Sequence, residues 1–469
     1  LASADPATLA VLAALTSLDA SYAQVSDDQN RQEVTASAGG NIDLSGVVSI
    51  LGPEFRNRET RGGNLQSDQL RFHAMDMGSV IDLSSLATIE SASRGQVSFC
   101  AEQGGAIELD QLAAMDWAAF TLRDAADVTL GALSSVSDTQ FTLTGGSQLR
   151  STGGAAVYDV RGLVGFRNSC ILCDVVTPLI SVADPGTLLD LSALTSIDAS
   201  YAQVSDDANT QTIECMNGGQ IDLSGVEEIQ GPASSTDTLV FNAADCMIHL
   251  SSLDSVTAAG AGEVRFTASG SGSIHMPSLQ TVDSRVAVDL SGMSAMDLGH
   301  LVVSGALRAN LNDQSAVAVG GAVLSSDSSI ALNGADTVLD VGDWGVELSE
   351  GATLSAAAGA YLEIAGDLSF KNVAEDELGL APAVVRFNGT AQQAIEAGGF
   401  DIGPCPPDNP ACPPNTDENF GVGQIIVEAF SSVRVVDRFD NGNRPGSCDS
   451  YEALYLYGVD GQDGLVLET

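Results

Sequence analysis

The dominant pattern in the chain is a short phrase of alternating apolar and polar residues, seen most clearly as Ile-Asp-Leu-Ser at 221–224. Strict alternation is the period of a β-strand, so Ile and Leu face one side and Asp and Ser the other. The phrase then runs into Val226-x-x-Ile229, which cannot continue the alternation, and we expect the chain to bend there and begin a second short strand. Related phrases occur at 42–45, 81–84, 107–110, 189–192, 248–251 and 274–277.

A third short strand accompanies the phrase, with segments such as 70–72, 97–99, 239–241 and 264–266 ending in phenylalanine. The unit from Leu83 to Leu109 spans 26 residues, and that from Leu223 to Leu250 spans 27. Glycine-rich pairs separate the strands, as expected at corners. Three strands and their turns in this length predict one coil of a right-handed parallel β-helix, an all-β solenoid. A leucine-rich repeat is the alternative, but the Asn or Cys that turns such a repeat is missing.

A long internal duplication supports the solenoid. Residues 17–28 recur at 196–207 with eleven of twelve positions identical, and the first copy carries extra residues near 53–79. We therefore predict a first β-helix module at 1–183 and a second at 184–303. Degenerate coils follow at 304–400, and 401–469 forms a β-rich segment with a proline- and cysteine-rich loop. The chain starts at Leu1 rather than Met, so we expect a processed or partial piece of a longer protein.

The Gly-Gly-x-Ile-Asp-Leu-Ser-Gly-Val-x-x-Ile rungs resemble those of the large secreted parallel β-helix proteins of planctomycete-type bacteria. The segments 440–443 and 452–458 share this resemblance. The resemblance implies export, with attachment to a surface or building of a matrix. It implies no catalytic residue, because the shared motifs specify the fold.

Charge and cysteine content indicate the environment. The chain has 62 acidic and 18 basic residues, a formal charge of −44 and a pI near 4.1. Phosphate backbones would be repelled, so nucleic acid is excluded as a partner, and the acids suit a saline or cation-rich exterior. Eight cysteines are compatible with an oxidising, extracellular or cell-surface location. No apolar run is long enough to predict a membrane span.

Two disulfides are predicted from spacing. Cys215 and Cys246 are 31 residues apart, about one coil, and we expect them to bridge neighbouring rungs. Cys405 and Cys412 flank a proline-rich loop that their bond would close. The Cys170-Ile-Leu-Cys173 segment is a lone pair without zinc-spaced partners, so we do not assign it a metal or redox role.

The second position of the phrase, which is polar and faces outward, supplies the candidate binding residues. If successive rungs stack about 4.8 Å apart, Asp43, Asp82 and Glu108 form one outward column. Asp190, Asp222, His249 and His275 form another. Close like charges either raise their pKa values or hold a cation, and Ca²⁺ is the candidate ligand. The alternative is a solvated face that discourages aggregation. No third ligand accompanies the two histidines.

An enzymatic interpretation has little support. Clustered aspartates act in polygalacturonase-type β-helices, and Asp27-Asp28 with Asp206-Asp207 are such doublets. The Gly-His-Gly and Arg-Ile-Lys segments by which those enzymes resemble one another are missing, and the doublets suit turns.

The sequence therefore predicts a non-catalytic extracellular structural protein, a subunit or rod segment of a self-associating surface fibre, sheath or matrix. Filaments would form by end-to-end or side-to-side contact. An adhesin that binds glycans or a cell surface through loops 53–69 or 403–418 is the first alternative. A polysaccharide lyase or hydrolase is the second.

Overall fold

The structure is a computed structural model, and the part of the chain that it describes forms two compact units. The first contains Leu1–Val264 and Gly272–Ile274, and the second contains Arg265–Ser271 and His275–Thr469. The residues described are 1–5, 9–21, 31–54, 69–93, 95–162, 175–201, 208–325, 327–349, 351–371, 378–380, 383–398, 421–422, 424–427, 432–437, 455–456 and 465–467.

The first unit is a β-solenoid in which each coil gives one strand to each of three stacks of parallel strands, which we call the first, second and third sheets. The first sheet contains Ala2–Ser3, Arg31–Ala36, Gln69–Met75, Gln96–Glu102, Ala118–Leu122, Gln140–Leu143, Val175–Ala183, Asn209–Met216 and Thr238–Ala244. The second contains Leu9–Val11, Asn41–Asp43, Val80–Asp82, Ala106–Glu108, Asp127–Leu133, Gln148–Gly154, Leu188–Asp190, Gln220–Asp222 and Met247–His249. The third contains Ser17–Asp19, Ser49–Glu54, Thr88–Ser93, Ala114–Asp116, Ser135–Ser137, Ala156–Asp159, Leu194–Asp198, Glu228–Gly231 and Ser255–Ala258.

Aromatic side chains form the core behind the first sheet. Phe99 lies in register with Phe72 on one neighbouring strand and with Phe120 on the other. The ring centroids are 5.3 Å and 5.2 Å apart, and Phe141 continues the stack 5.3 Å beyond Phe120. All four side chains are buried. Because strand side chains alternate, this register sends the residue after each phenylalanine to the outer face of the sheet.

The corner between the first and second sheets depends on glycine. Gly218 has a φ of 84°, in the left-handed region where a Cβ is disfavoured. The N–H of Gly219 donates to the carbonyl of Met216 at 3.1 Å and closes the turn. The glycine pairs of the sequence therefore mark this corner, as predicted.

The corner between the second and third sheets is made by the leucines of the repeated phrase. The N–H of Val226 donates to the carbonyl of Leu223 at 3.0 Å, which closes a four-residue turn with both side chains buried. The same bond joins Leu86 to Leu83 and Leu112 to Leu109, each at 2.9 Å. The alternation stops at this turn, so the predicted bend is confirmed.

The Cys215–Cys246 disulfide is present and lies inside the first unit. Cys215 is an inward-facing residue of Asn209–Met216, and Cys246 follows the neighbouring strand Thr238–Ala244. Their Cα atoms are 5.9 Å apart, and both residues are buried. The bond joins adjacent coils, as the spacing predicts.

The second unit is also a parallel β-solenoid. Its strands Ala295–Val303 and Ala316–Leu324 pair along almost their whole length. They are followed by shorter strands that pair in the same sense. Its other strands are Thr281–Val282, Arg285–Leu290, Ala306–Leu311, Ser329–Leu332, Val338–Val341, Val346–Ser349, Thr353–Ala356, Tyr361–Ile364, Leu368–Lys371, Leu378–Gly379, Val384–Phe387, Gln392–Gly398, Gly421–Val422, Gln424–Val427, Ser432–Asp437, Tyr455–Leu456 and Leu465–Leu467. Glu263–Ser269 and Ser273–Met276 contain residues of both units.

The predicted all-β parallel β-helix is thus confirmed. Throughout the described residues the regular secondary structure is strand, and the coils of the first unit have three strands each, whereas a leucine-rich repeat has one strand and a helical segment. The four predicted segments stay a prediction.

Candidate functional sites: an acidic column and a His–Cys–Glu cluster

The predicted acidic columns are in register on the second sheet. Asp43 pairs with Asp82, and Asp82 pairs with Glu108. In the second copy Asp190 pairs with Asp222, which pairs in turn with His249. The two columns do not join, because Arg150 holds the position beside Asp190. His275 belongs to the second unit, where its Nδ1 lies 2.6 Å from the Oδ2 of Asp297.

The aspartates of the columns are acceptors in the corner turns. The Oδ1 of Asp222 accepts the N–H of Ser224 at 2.9 Å, and the Oδ1 of Asp190 accepts both the N–H and the hydroxyl of Ser192. Asp43 is bonded in the same way to Ser45, and Asp82 to the N–H of Ser84. Hydrogen bonds from the Ser45 hydroxyl and N–H hold the pKa of Asp43 below its ordinary value. One oxygen of each carboxylate therefore stabilises the corner.

Glu108 is the exception in its column. The residue two positions later is Asp110 rather than a serine, so the turn acceptor arrangement is lost. Although the Glu108 side chain is exposed, loss of part of its hydration on the sheet surface, reinforced by the charges of Asp82 and Asp110, raises its pKa. Close acids could attract a cation here, but the column does not bring three ligand groups together within the described residues. Ca²⁺ binding at Asp43, Asp82, Glu108, Asp190 or Asp222 stays a prediction.

A second cluster lies on the outer face of the first sheet. His73 and Cys100 occupy paired positions on neighbouring strands, and Glu102 follows Cys100 by two residues on the same face. The Nε2 of His73 lies 2.9 Å from the Oε1 of Glu102. The ligand atoms of the three residues all lie within 4.8 Å of one another. We call this set the His–Cys–Glu cluster.

Two of the three residues of the cluster are shielded from water although the side chains lie on the outer face of the sheet. His73 is 8% exposed and Cys100 is 5% exposed. Most outward residues of these strands are only partly buried, for example Arg71 and Ser98. The Glu102 side chain is 22% exposed, so the imidazole and the thiol are the shielded groups, and they interact more strongly there than they would in water. The cluster is therefore the most chemically distinctive arrangement among the described residues.

Two arginines flank the cluster. A guanidinium N–H of Arg71 donates to the Sγ of Cys100 at 3.1 Å, and another nitrogen of Arg71 lies 3.8 Å from a carboxylate oxygen of Glu33. Arg123 lies 3.9 Å from the Oε2 of Glu102. The Oε2 atom thus faces a cation, whereas Oε1 faces the imidazole. A cationic group therefore lies beside two of the three residues of the cluster.

The sequence analysis missed this cluster. Its residues come from different repeats, and no short motif contains them. The signal lies in the alignment of the repeats: His73 follows Phe72 and Cys100 follows Phe99, so matching the phenylalanines places both in one outward column.

Several predicted features lie outside the described residues. These are the Asp27-Asp28 and Asp206-Asp207 doublets, the Cys170–Cys173 pair, the Cys405–Cys412 disulfide and the loop at 403–418. Most of the loop at 53–69 also lies outside them. Among the residues that the structure does describe, none forms a helix of the length and apolar character needed to cross a membrane.

Comparisons of the chain with protein-family models, curated proteins and solved structures find no match. The resemblance to planctomycete-type β-helix proteins therefore depends on the sequence motifs alone.

Proposed function

We propose that the chain is a non-catalytic structural protein, a subunit or rod segment of an extracellular fibre, sheath or matrix. The observation that carries this proposal is that the repeated aspartates accept hydrogen bonds within the corner turns. Asp43, Asp82, Asp190 and Asp222 each accept a hydrogen bond from the serine two residues later. The most frequent polar side chain of the repeat thus stabilises corners, which is an architectural role.

The stacking of the coils supports the same proposal. A solenoid whose coils pair in register gains stability coil by coil, so length can be added without a new core. The buried Cys215–Cys246 bond reinforces two adjacent coils and is compatible with an oxidising exterior. Both features suit a structural protein whose length is set by its number of coils.

The charge of the chain supports self-association that depends on cations. Because each molecule has a formal net charge of −44, neighbouring molecules repel one another at low ionic strength. Divalent cations can neutralise carboxylates on two molecules at once, whereas monovalent salt only screens them. We therefore expect Ca²⁺ to promote side-to-side contact between copies.

Electron microscopy of the purified protein tests the proposal. We expect filaments or bundles with Ca²⁺, and fewer with NaCl at the same ionic strength. Sedimentation velocity over a range of protein concentrations should show the same shift to larger species. Dispersed monomers in every condition, including high protein concentration, would contradict self-association.

A separate measurement tests the non-catalytic part of the proposal. The protein is incubated with a panel of acidic polysaccharides, and unsaturated and reducing sugar ends are assayed. We expect no release above that of heat-denatured protein. Release by the native protein would establish the lyase or hydrolase alternative, whatever the microscopy shows.

A further inference from the structure

We propose that His73, Cys100 and Glu102 form a zinc-binding site on the outer face of the first sheet. The inference does not depend on the proposed structural function, because it rests on a cluster that the repeated phrase does not contain.

The donor set suits zinc. Thiolate sulfur, imidazole nitrogen and carboxylate oxygen are its ordinary protein ligands, and three of them leave a fourth position for water or another ligand. A thiolate and a carboxylate together balance the two positive charges of the ion. Hard cations such as Ca²⁺ and Mg²⁺ prefer oxygen ligands, so the sulfur and nitrogen of this site select against them.

The geometry needs only a small contraction. In a tetrahedral site with ordinary bond lengths the ligand atoms are roughly 3.3 to 3.6 Å apart. The Nε2 of His73 is already 2.9 Å from the Oε1 of Glu102, and the three ligand atoms lie within 4.8 Å of one another. The imidazole and carboxylate would separate slightly as the ion replaces their shared hydrogen bond, while the sulfur moves inward by side-chain rotation.

The backbone positions the ligands before an ion arrives. His73 and Cys100 are directly paired across two parallel strands, and Glu102 shares a strand and a face with Cys100. Sites on paired strands are held more closely than sites on loops. The low exposure of His73 and Cys100 keeps competing water away from two of the three ligands.

The flanking arginines fit outer partners of such a site. Arg71 donates to the Cys100 sulfur, and a metal-bound thiolate retains the capacity to accept that bond. Arg123 faces the Oε2 of Glu102, which leaves Oε1 directed at His73 and available to the ion. Zinc bound here would tie two adjacent coils together on the outside and protect the Cys100 thiol from oxidation.

Spectroscopy with Co²⁺ in place of zinc tests the site in the 469-residue chain under anaerobic conditions. Thiolate ligation gives a sulfur-to-cobalt charge-transfer band in the near ultraviolet. We expect one equivalent of Co²⁺ to produce this band and one equivalent of Zn²⁺ to abolish it. Absence of the band would overturn the proposal.

The variants separate this site from other thiols. The Cys100→Ser change should remove the band. The double change Cys170→Ser and Cys173→Ser, which removes both thiols of the Cys-x-x-Cys segment, should leave it intact. The reverse pattern would place the ion at 170–173 and overturn the proposal.

Two further variants keep the test valid if Cys100→Ser fails to fold. His73→Gln and Glu102→Gln preserve the thiol and nearly the same side-chain volume. Outer partners alone are worth about 10- to 100-fold in metal affinity, so loss of a ligand should weaken Zn²⁺ binding by at least about tenfold. Glu227→Gln, the same change at an exposed glutamate outside the cluster and the acidic columns, is the matched control and should bind normally. Unchanged affinity in both glutamine variants would contradict the assignment.

Discussion

At the scale of the residue, the aspartate at the second position of the phrase has a role that its position alone does not reveal. Alternation predicts correctly that Asp43 and Asp222 lie on the outer side of their strands. It does not predict that the serine two residues later turns back to the carboxylate. That hydrogen bond depends on the local turn, and Asp followed two positions later by Ser is its visible signal.

Changing Asp222 tests this role. Asp222→Ala removes the acceptor of the Ser224 N–H, and we expect a loss of about 1 kcal/mol in local stability. Asp222→Asn keeps an acceptor oxygen and removes a charge that faces Asp190, so it should be as stable as the native protein or more so. Hydrogen–deuterium exchange of peptides covering 220–229, with urea denaturation, measures both. If the two variants were equally stable, the charge of Asp222 rather than its hydrogen bond to Ser224 would determine the stability of the turn.

Glu108 gives a pH-dependent prediction. Its pKa is raised in the folded protein, so its ionised form opposes folding. The penalty is absent below the ordinary value of 4.5 and is fully present above the raised folded value. We therefore expect Glu108→Gln to be more stable than the native protein at pH 7 and equal to it at lower pH.

Thermal unfolding at a series of pH values measures this difference. The other acidic groups titrate in both proteins, so their contributions cancel in the difference between the two stabilities. Glu227→Gln, which removes an exposed carboxylate from the second copy, is the control and should show a smaller change. A Glu108→Gln variant that is less stable at pH 7 would instead indicate that the carboxylate has a favourable partner there.

At the scale of the element, one coil is defined by two corners and an aromatic column. The leucine turn sets where the second strand ends, and the phenylalanines set the register of the first sheet. Close approach limits one position in the phrase: a Cβ on Gly225 would lie 2.0 Å from the carbonyl oxygen of Ser192 in the preceding coil. Glycine is therefore needed there by packing.

The aromatic column supports a prediction at Phe99. This side chain is buried between two rings, and Phe99→Ala should cost about 3–5 kcal/mol, because it leaves a cavity and removes both stacking contacts. Phe99→Leu fills most of the space and should cost less. Val157→Ala, at a side chain that is 46% exposed, is the control and should change stability by no more than about 0.5 kcal/mol. Urea denaturation measures all three, and a Phe99→Ala loss as small as that of the control would contradict a column that stabilises the coil.

The element scale also explains what the sequence alone could not predict. Strands, corners and the Cys215–Cys246 bond follow from local pattern and from the length of one coil. The His–Cys–Glu cluster does not, because His73 and Cys100 are 27 residues apart and become neighbours only when two coils stack. Reading the repeats as aligned rows, with phenylalanine as the reference position, would have brought the two together.

At the scale of the whole molecule, the repeat made the fold class predictable. Each coil repeats the same information, so a weak signal in one coil is reinforced by the others. The loops and the segment after 401 carry no such repetition, and their organisation could not be derived. The division near 264–275 lies within the second copy, so the duplicated copy and the compact unit do not coincide.

The in-register corners have a consequence for how such a chain can grow. Val182 pairs with Cys215 in the second copy, just as Ser3 pairs with Ala36 in the first. The Ala-Asp pairs that follow, at 4–5 and 183–184, therefore lie at equivalent places in their coils. If the gene segment that begins at this point were duplicated, the encoded second copy would follow the first in the same strand register. Each side chain would therefore keep its inward or outward direction. Recombination could then lengthen the protein by whole coils, with each new junction compatible with the old.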